Sequence, residues 1–139
     1  MEQVYHTPVL LHESITALDI KEDGVYVDAT FGGGGHSREI LRRLGPEGTL
    51  ISFDRDTDAI KNAPDDNRLI LVHNNFRFVE NFVHYNGFRH VDGILADLGV
   101  SSHQFDSGER GFSFRFDAPL DMRMNQLAKK NAADIINGY

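Results

Sequence analysis

Apolar segments of strand length alternate with helix-favouring segments along residues 10–100. Four such runs, rich in apolar and β-branched residues, are typical of buried strands: Val25–Asp28, Thr49–Asp54, Leu69–His73 and Val91–Asp97. Segments 36–44, 57–62 and 78–85 lie between them and favour helices. Repeated βα units with nearly continuous apolar strands predict an α/β fold, in which helices cover both faces of a parallel sheet.

Both ends of the sequence carry further helix signals. Thr7 and Pro8 suit the N-cap and the first position of a leading helix that continues to Leu18. Asn131 is expected to cap a last helix over residues 132–137, which ends at Gly138. The stretch 98–125 has no sustained period and is rich in Gly, Ser, Asp, Arg and Phe, so it predicts a long loop that is functional or disordered.

Composition narrows the classes of function. With 139 residues, 40% hydrophobic content and no cysteine, the chain suits one globular domain without a disulfide framework or a thiolate metal site. Its formal charge of -7 argues against nucleic-acid binding through the overall charge of the chain. An RNA-binding protein of this charge could still use a local basic patch. The histidine spacing suits no metal motif, so no metal is expected. The first residues hold no apolar run long enough for a signal peptide or a membrane helix, and we expect a cytoplasmic protein.

A glycine-rich turn follows the first predicted strand. The segment DATFGGGGH, residues 28–36, lets the backbone approach a ligand closely and directs helix N-terminal amides into the site. Asp54 ends the second predicted strand twenty positions after Gly34, where nucleotide-binding folds place an acid that binds ribose hydroxyls. The alternatives are a plain flexible turn for the glycines and a helix-capping or surface acid for Asp54.

The residues after the glycines disfavour two phosphate-binding motifs. A P-loop needs Lys and Ser or Thr after its last glycine, whereas His36 and Ser37 stand here. The dinucleotide fingerprint counted from Gly32 requires glycine at position 37, and Ser37 should keep the helix from packing as closely as the NAD motif requires. A nucleoside ligand without a pyrophosphate is the better fit.

Ligands of open α/β sheets bind outside the carboxyl ends of the strands. Two further candidate ligand-binding residues lie at strand ends on that side of the predicted sheet. Asp97 ends the fourth predicted strand, and Phe76 follows the third. The Phe76 ring suits packing on a purine, although core packing is the simpler interpretation of a lone phenylalanine.

Longer motifs resemble one known family. VDATFGGGGHSREIL, FDRD, NNF, DLGVSS-x-Q and ERGFSFRFDAPLDMRM resemble, in the same order, motifs of the RsmH (MraW) family, and the resemblance covers residues 5–137. It implies a Rossmann-like class I S-adenosylmethionine methyltransferase, incomplete here with four predicted parallel strands. The expected reaction is methylation of the exocyclic N4 of a cytidine in the decoding region of small-subunit ribosomal RNA. The implied partner is that RNA or the assembled small ribosomal subunit.

The resemblance also implies roles for individual residues. Gly34, Gly35 and His36 would hold the methionine end of the cofactor, and Asp54 would bind its ribose hydroxyls. Phe76 would lie by the adenine.

Asp97 and Gln104 would complete the cofactor pocket. Asp97-Leu98-Gly99-Val100 stands where many amino-methyltransferases have an Asp/Asn-Pro-Pro-aromatic motif. Asp97 is therefore a candidate catalytic residue that orients the cytidine amine, binds the cofactor, or does both.

Arginine and phenylalanine alternate in the segment after Glu109. Arg110 and Arg115 are candidate RNA-binding residues, since the neighbouring phenylalanines suit base stacking. The alternative is an ordered lid held by aromatic packing and internal ion pairs.

The family's proteins continue into an inserted helical domain and further strands, so we expect this chain to be truncated. We expect a cofactor-binding domain over 1–100, and a lid loop with the start of the inserted substrate domain over 101–139. The apolar fourth strand would then lie at a sheet edge, which self-association would cover. Two other classes stay open: a cofactor-binding fragment without turnover, and a nicotinamide-dependent oxidoreductase.

Overall fold

The computed structural model describes Pro8 and residues 10–138. The chain divides into two compact units, Met1–Leu98 and Gly99–Tyr139. The first unit carries the sheet, and the second carries short helices and turns. Across the described residues, no helix combines the length and the apolar character needed to cross a membrane.

A four-stranded parallel sheet forms the centre of the first unit. Its strands are β1 (Val25–Asp28), β2 (Thr49–Asp54), β3 (Leu69–His73) and β4 (Gly93–Leu95). They are hydrogen-bonded in the order β3-β2-β1-β4, and each pair is parallel. The direction in which strands are added reverses after β1, as it does in doubly wound nucleotide-binding folds. The predicted Rossmann-like α/β class is confirmed.

The fourth strand is shorter than the sequence predicts. It ends at Leu95, opposite Asp28, which is the last residue of its neighbour β1. Before the strand, the Asp92 carboxylate accepts a hydrogen bond from the Val25 amide at 2.8 Å and takes the place of a ladder bond. The predicted strand over 91–97 is therefore wrong at both ends, and Asp97 lies in the loop that follows.

The helices of the first unit are short. They are α1 (Leu11–Ala17), α2 (Gly35–Arg43), α3 (Thr57–Ile60) and α4 (Val79–Tyr85), with a 3-10 turn at Phe76–Phe78 before α4. The prediction that the first helix begins at Pro8 is wrong, because Leu10 adopts a left-handed conformation with φ 54° and interrupts any helix entering from that side. Thr7, its expected N-cap, lies outside the described residues.

Both faces of the sheet are covered, as predicted. Successive strand residues point to opposite faces, so Tyr26 and Leu50 pack with α1 and α2, whereas Val27 and Ile51 pack with α4. The fully or nearly buried members of the two clusters are Ile15, Tyr26, Ile40, Leu41, Leu44, Leu50 and Leu95 on one face, and Val27, Ile51, Phe53, Val72 and Val83 on the other.

The edge position of β4 is also confirmed. Among the described residues, β4 pairs with β1 alone, and Ile94 is 53% exposed. A pocket of about 370 Å³ lies beside it, between α1 and the end of the strand, lined by Ser14, Ala17, Leu18, Ile94, Leu95 and Ala96.

The second unit is more ordered than the sequence predicts. It contains α5 (Ser102–Asp106), a 3-10 turn at Gly108–Arg110 and α6 (Ala132–Asn137). The expectation of no regular structure over 98–125 is wrong, because Ser101 and Gln104 form a reciprocal capping box that starts α5. Asn131 caps α6 as predicted, and its partner in a second capping box is Asp134.

Candidate functional site

The glycine turn between β1 and α2 is a rigid structure. Gly34 is left-handed, with φ 78°, and stands at the N-cap of α2. A Cβ there would lie 2.7 Å from both the Phe31 ring and the Arg38 guanidinium, so the position requires glycine for its space and its backbone. Arg38 also donates to the Gly33 carbonyl at 2.7 Å. These contacts argue against a plain flexible turn.

The next glycine of the motif is also enclosed by protein. A Cβ on Gly35 would overlap the Pro8 ring. Protein atoms therefore occupy the space on this side of the turn, and the Gly34 amide already donates to the Phe31 carbonyl at 2.7 Å. His36, the third predicted residue of this group, is 5% exposed and lies in the first turn of α2.

Asp54 joins the end of β2 to the glycine turn. Its Oδ2 accepts a hydrogen bond from the Gly32 amide at 2.8 Å, and its Oδ1 accepts one from the Asp56 amide at 2.9 Å. The acid that caps α3 is Asp56, whose carboxylate accepts from the Asp58 amide at 3.1 Å. Asp54 is therefore not the helix cap, and its carboxylate is held half-buried at the carboxyl edge of the sheet beside the turn.

A buried polar network under the turn was not predicted. The Ser37 hydroxyl donates to Asp28 Oδ2 at 2.6 Å and lies 2.8 Å from the Ser52 hydroxyl, and all three side chains are fully buried. Because Ser37 has a single hydroxyl proton, Ser52 is the donor in the second bond. Burial raises the pKa of Asp28, against the opposing effect of hydrogen bonds from Ser37 and the Thr30 amide.

This network corrects the expectation about position 37. Ser37 does not hold α2 away from the sheet, since its hydroxyl makes the contact that draws the helix onto β1 and β2. Two features of the sequence could have indicated this contact: Ser37 stands at a glycine position of the dinucleotide fingerprint, and the preceding strand ends in an acid, Asp28.

The reversal point of the sheet lies between β1 and β4, and two predicted features meet there. The Thr30 hydroxyl accepts a hydrogen bond from the Asp97 amide at 2.7 Å. Asp97 is exposed just beyond the carboxyl end of β4. Ligands of open α/β sheets bind at this reversal point, so Asp97 occupies the expected position.

Phe76 lies beyond the end of the third strand. It begins the 3-10 turn, which Asn75 caps by accepting from the Arg77 amide at 3.0 Å. The Phe76 side chain is 41% exposed, so the core-packing interpretation is wrong. An exposed ring at this position is available to a planar ligand.

The remaining predicted residues belong to the second unit. Gln104 is buried, and its side chain closes the capping box of α5. Arg110 is also buried, lies over the Phe112 ring and donates to the carbonyls of Arg123 and Met124 at 2.8 and 3.3 Å. The Arg110 guanidinium is therefore engaged in contacts within the protein. This favours the alternative interpretation of the segment, in which internal contacts hold it in an ordered conformation.

Arg115 has a different environment. Its side chain is 64% exposed and pairs with an equally accessible Asp106 at 2.7 Å. It lies over the Phe116 ring, 5.6 Å from the centroid, and the neighbouring Phe114 is fully exposed. Of the two candidate RNA-binding arginines, only Arg115 is presented at the surface.

The parallel strand order, with its reversal after β1 and the glycine turn beside it, is that of a doubly wound α/β domain. The model of the MraW methylase family matches residues 3–139, and the chain belongs to that family. The resemblance inferred from the motifs is confirmed.

Relatives named ribosomal RNA small subunit methyltransferase H match nearly all of the chain. The Flavobacterium johnsoniae protein is 63% identical, over 97% of this chain and 45% of its own length. The Parabacteroides distasonis protein is 61% identical, over 99% of this chain and 46% of its own length. The chain thus spans about half the length of these relatives.

Among solved structures, a provisionally named rRNA-methylase from Clostridium thermocellum aligns with a TM-score of 0.48 and 21% identity, covering 57% of this chain and 49% of that chain. A likeness at this level supports no conclusion about fold or function.

Proposed function

We propose that the chain is the cofactor-binding part of an S-adenosylmethionine-dependent methyltransferase that modifies the exocyclic N4 of a cytidine in the decoding region of small-subunit ribosomal RNA. The proposal rests on the hydrogen bond between the Gly32 amide and Asp54, which holds a carboxylate beside a glycine turn, where nucleotide-binding folds place the acid that binds ribose hydroxyls. Membership of the MraW methylase family and the names of the relatives support the same conclusion.

The groups at the carboxyl edge suit the chemistry of this cofactor. The amides of Gly35 and His36 at the start of α2 would bind the carboxylate of its methionine end, because helix N-terminal amides favour an anion. The Gly34 amide already donates to the Phe31 carbonyl at 2.7 Å, so Gly34 would serve this end of the cofactor through its backbone turn. Asp54 would accept hydrogen bonds from the ribose hydroxyls. Each of its oxygens already accepts one backbone bond, and a carboxylate has further lone pairs to offer.

The rest of the cofactor would be bound by residues of different character. Phe76, being exposed, would pack on the adenine. The acidic Asp97 would favour the positive charge of the sulfonium. The role of Gln104 in cofactor binding stays a prediction from the family resemblance, since its buried side chain is engaged in the capping box of α5.

Methyl transfer needs positioning rather than a protein nucleophile. When bound, the cofactor supplies an electrophilic methyl group on sulfur. Asp54 and the amides at the start of α2 would hold the cofactor so that this methyl group is presented in line to the cytidine N4, and the proton that N4 gives up would pass to the exposed Asp97 carboxylate or to water. Asp97 would accept a hydrogen bond from the cytidine amine and so orient its lone pair.

The second unit would contribute to RNA binding through Arg115. Its exposed guanidinium suits a phosphate, and the exposed Phe114 and Phe116 suit stacking on unpaired bases. The partner is then the small-subunit RNA or the assembled subunit, and the site of action is cytoplasmic.

The proposed activity is tested by supplying methyl-labelled S-adenosylmethionine and unmodified small ribosomal subunits to the protein at its natural length. Digestion of the RNA and mass spectrometry of the nucleosides should identify N4-methylcytidine. Label on a different base would overturn the proposed specificity. Cofactor binding without any transfer would favour a binding fragment, and stabilisation by NAD but not by S-adenosylmethionine would favour an oxidoreductase.

A further inference from the structure

The hydrogen-bond ladder between β1 and β4 stops abruptly at the reversal point of the sheet. Its last bond runs from the Ala29 amide to the Leu95 carbonyl at 2.8 Å. The chain after Ala29 then turns toward β2, where the Phe31 amide donates to the Phe53 carbonyl at 2.9 Å. The backbone beyond Leu95 therefore has no β1 carbonyl on which to continue the ladder.

The Thr30 side chain takes the place of that missing acceptor. Its hydroxyl accepts the Asp97 amide at 2.7 Å, which is a short bond for a backbone donor. Thr30 is itself fixed, because its amide donates to Asp28 Oδ1 at 3.0 Å and the other oxygen of Asp28 is bound by Ser37. A buried network thus determines the position of the hydroxyl that holds Asp97.

The Asp97 carboxylate, in contrast, is uncommitted. Asp97 is exposed, and within Pro8 and residues 10–138 its carboxylate has no hydrogen-bond donor or cationic partner. Asp54 differs, since backbone amides already bind both of its oxygens. The Asp97 backbone is therefore held by Thr30, whereas its carboxylate is accessible to a ligand.

We propose that Thr30 is a positioning residue for methyl transfer: its hydroxyl holds the Asp97 backbone so that the Asp97 carboxylate meets the cytidine amine. This inference rests on the proposed function and assigns a role to a residue that does not itself touch the substrate. The role follows from geometry, because a displacement of about 1 Å at a reacting group lowers a rate by as much as roughly a hundredfold.

The test measures kcat and KM for methyl transfer with the protein at its natural length. Thr30→Val removes the hydroxyl at nearly constant shape, whereas Thr30→Ser retains it. Thr49→Val makes the same change at the amino end of β2, away from the carboxyl edge. Thr30→Ala removes the acceptor without a branched side chain and replaces Thr30→Val if that variant does not fold.

We expect Thr30→Val to lower kcat roughly 10- to 100-fold and to weaken S-adenosylmethionine binding by a much smaller factor, because Asp54 and the amides at the start of α2 are not displaced. Thr30→Ser should recover most of the lost kcat, and Thr49→Val should match the parent. Exchange of the Asp97 amide proton with solvent should be faster in Thr30→Val than in Thr30→Ser, because the valine offers no acceptor.

A double-mutant cycle separates positioning from general support of the fold. If Thr30 acts through Asp97, then Thr30→Val should cause little further loss of kcat in an Asp97→Asn background. Additive losses, or an unchanged kcat in Thr30→Val while the parent methylates cytidine, would overturn the inference and leave the proposed function intact. A parent protein that methylates no cytidine would overturn both.

Discussion

Oδ2 of Asp54 accepts a hydrogen bond from the Gly32 amide at 2.8 Å, across 22 residues of sequence. The bond joins the end of β2 to the turn that leads into α2. It places a carboxylate and the N-terminal amides of a helix at one edge of the sheet. These two kinds of group suit opposite ends of a ligand, since carboxylates accept from hydroxyls and helix amides donate to anions.

Gly34 should tolerate no side chain. We expect Gly34→Ala to lower the free energy of unfolding by more than about 1–2 kcal/mol, because alanine pays the left-handed strain and also collides with Phe31 and Arg38. Gly87→Ala is the matched control, since Gly87 has a similar φ of 88° but no atom within 4 Å of the added Cβ. Urea unfolding measures both variants. If Gly34→Ala and Gly87→Ala lowered the free energy of unfolding equally, the collision with Phe31 and Arg38 would contribute nothing to the loss.

Asp28 should make stability depend on pH in a particular direction. The unfolded carboxyl loses its proton near pH 3.9, while burial raises the pKa of Asp28 in the folded protein, so the folded state retains that proton longer. The Asp28 contribution to the free energy of unfolding therefore falls as pH rises above about 4.

The Asp28→Asn variant tests this sign. Its free energy of unfolding, minus that of the parent, should rise across the window above about pH 4 and then level off once the folded Asp28 has ionised. Asp65→Asn changes an exposed acid and is the control for the charge change itself. A difference between Asp28→Asn and the parent that stays constant across this window would rule out the raised pKa.

The two candidate RNA-binding arginines should separate by phenotype. Arg110→Ala should lower the free energy of unfolding by roughly 1–3 kcal/mol, since it leaves the Arg123 and Met124 carbonyls without their buried donor. Arg115→Ala should change it by less than about 0.5 kcal/mol, because the Arg115–Asp106 pair is exposed. Thermal unfolding and binding to the small-subunit RNA are the measurements. Under the proposed function, Arg115→Ala weakens RNA binding while the stability of the protein stays normal. Weaker RNA binding by Arg110→Ala at normal stability, with no effect of Arg115→Ala, would contradict the proposed role of Arg115.

The sequence predicted the parts of the fold that depend on local pattern. The bounds of β1, β2 and β3 were correct because each strand is a continuous apolar run between turn residues. The bounds of β4 were wrong because they depend on where its partner β1 ends and on the Asp92 carboxylate. The capping box at Ser101 and Gln104 is visible in the sequence as a serine followed three residues later by glutamine, but the surrounding stretch has no helical period that would indicate a helix there.

The candidate site was predictable in its outline but not in its connections. The positions of Asp54 and Asp97 near strand ends follow from spacing. The contact of Ser37 with Asp28 and Ser52 depends on the rotation of α2 over the sheet, which the sequence does not specify. The same is true of the Thr30–Asp97 bond, which requires β4 to lie beside β1.

We expect the carboxyl edge of this sheet to bind S-adenosylmethionine, and calorimetric titration of the protein measures that binding without RNA. The parent should bind the cofactor saturably, Asp54→Ala should weaken binding by roughly tenfold or more, which is about 1.4 kcal/mol, and the exposed-acid control Asp65→Ala should bind like the parent. A folded parent that releases no saturable heat, or an Asp54→Ala variant with the parent's affinity, would contradict the claim.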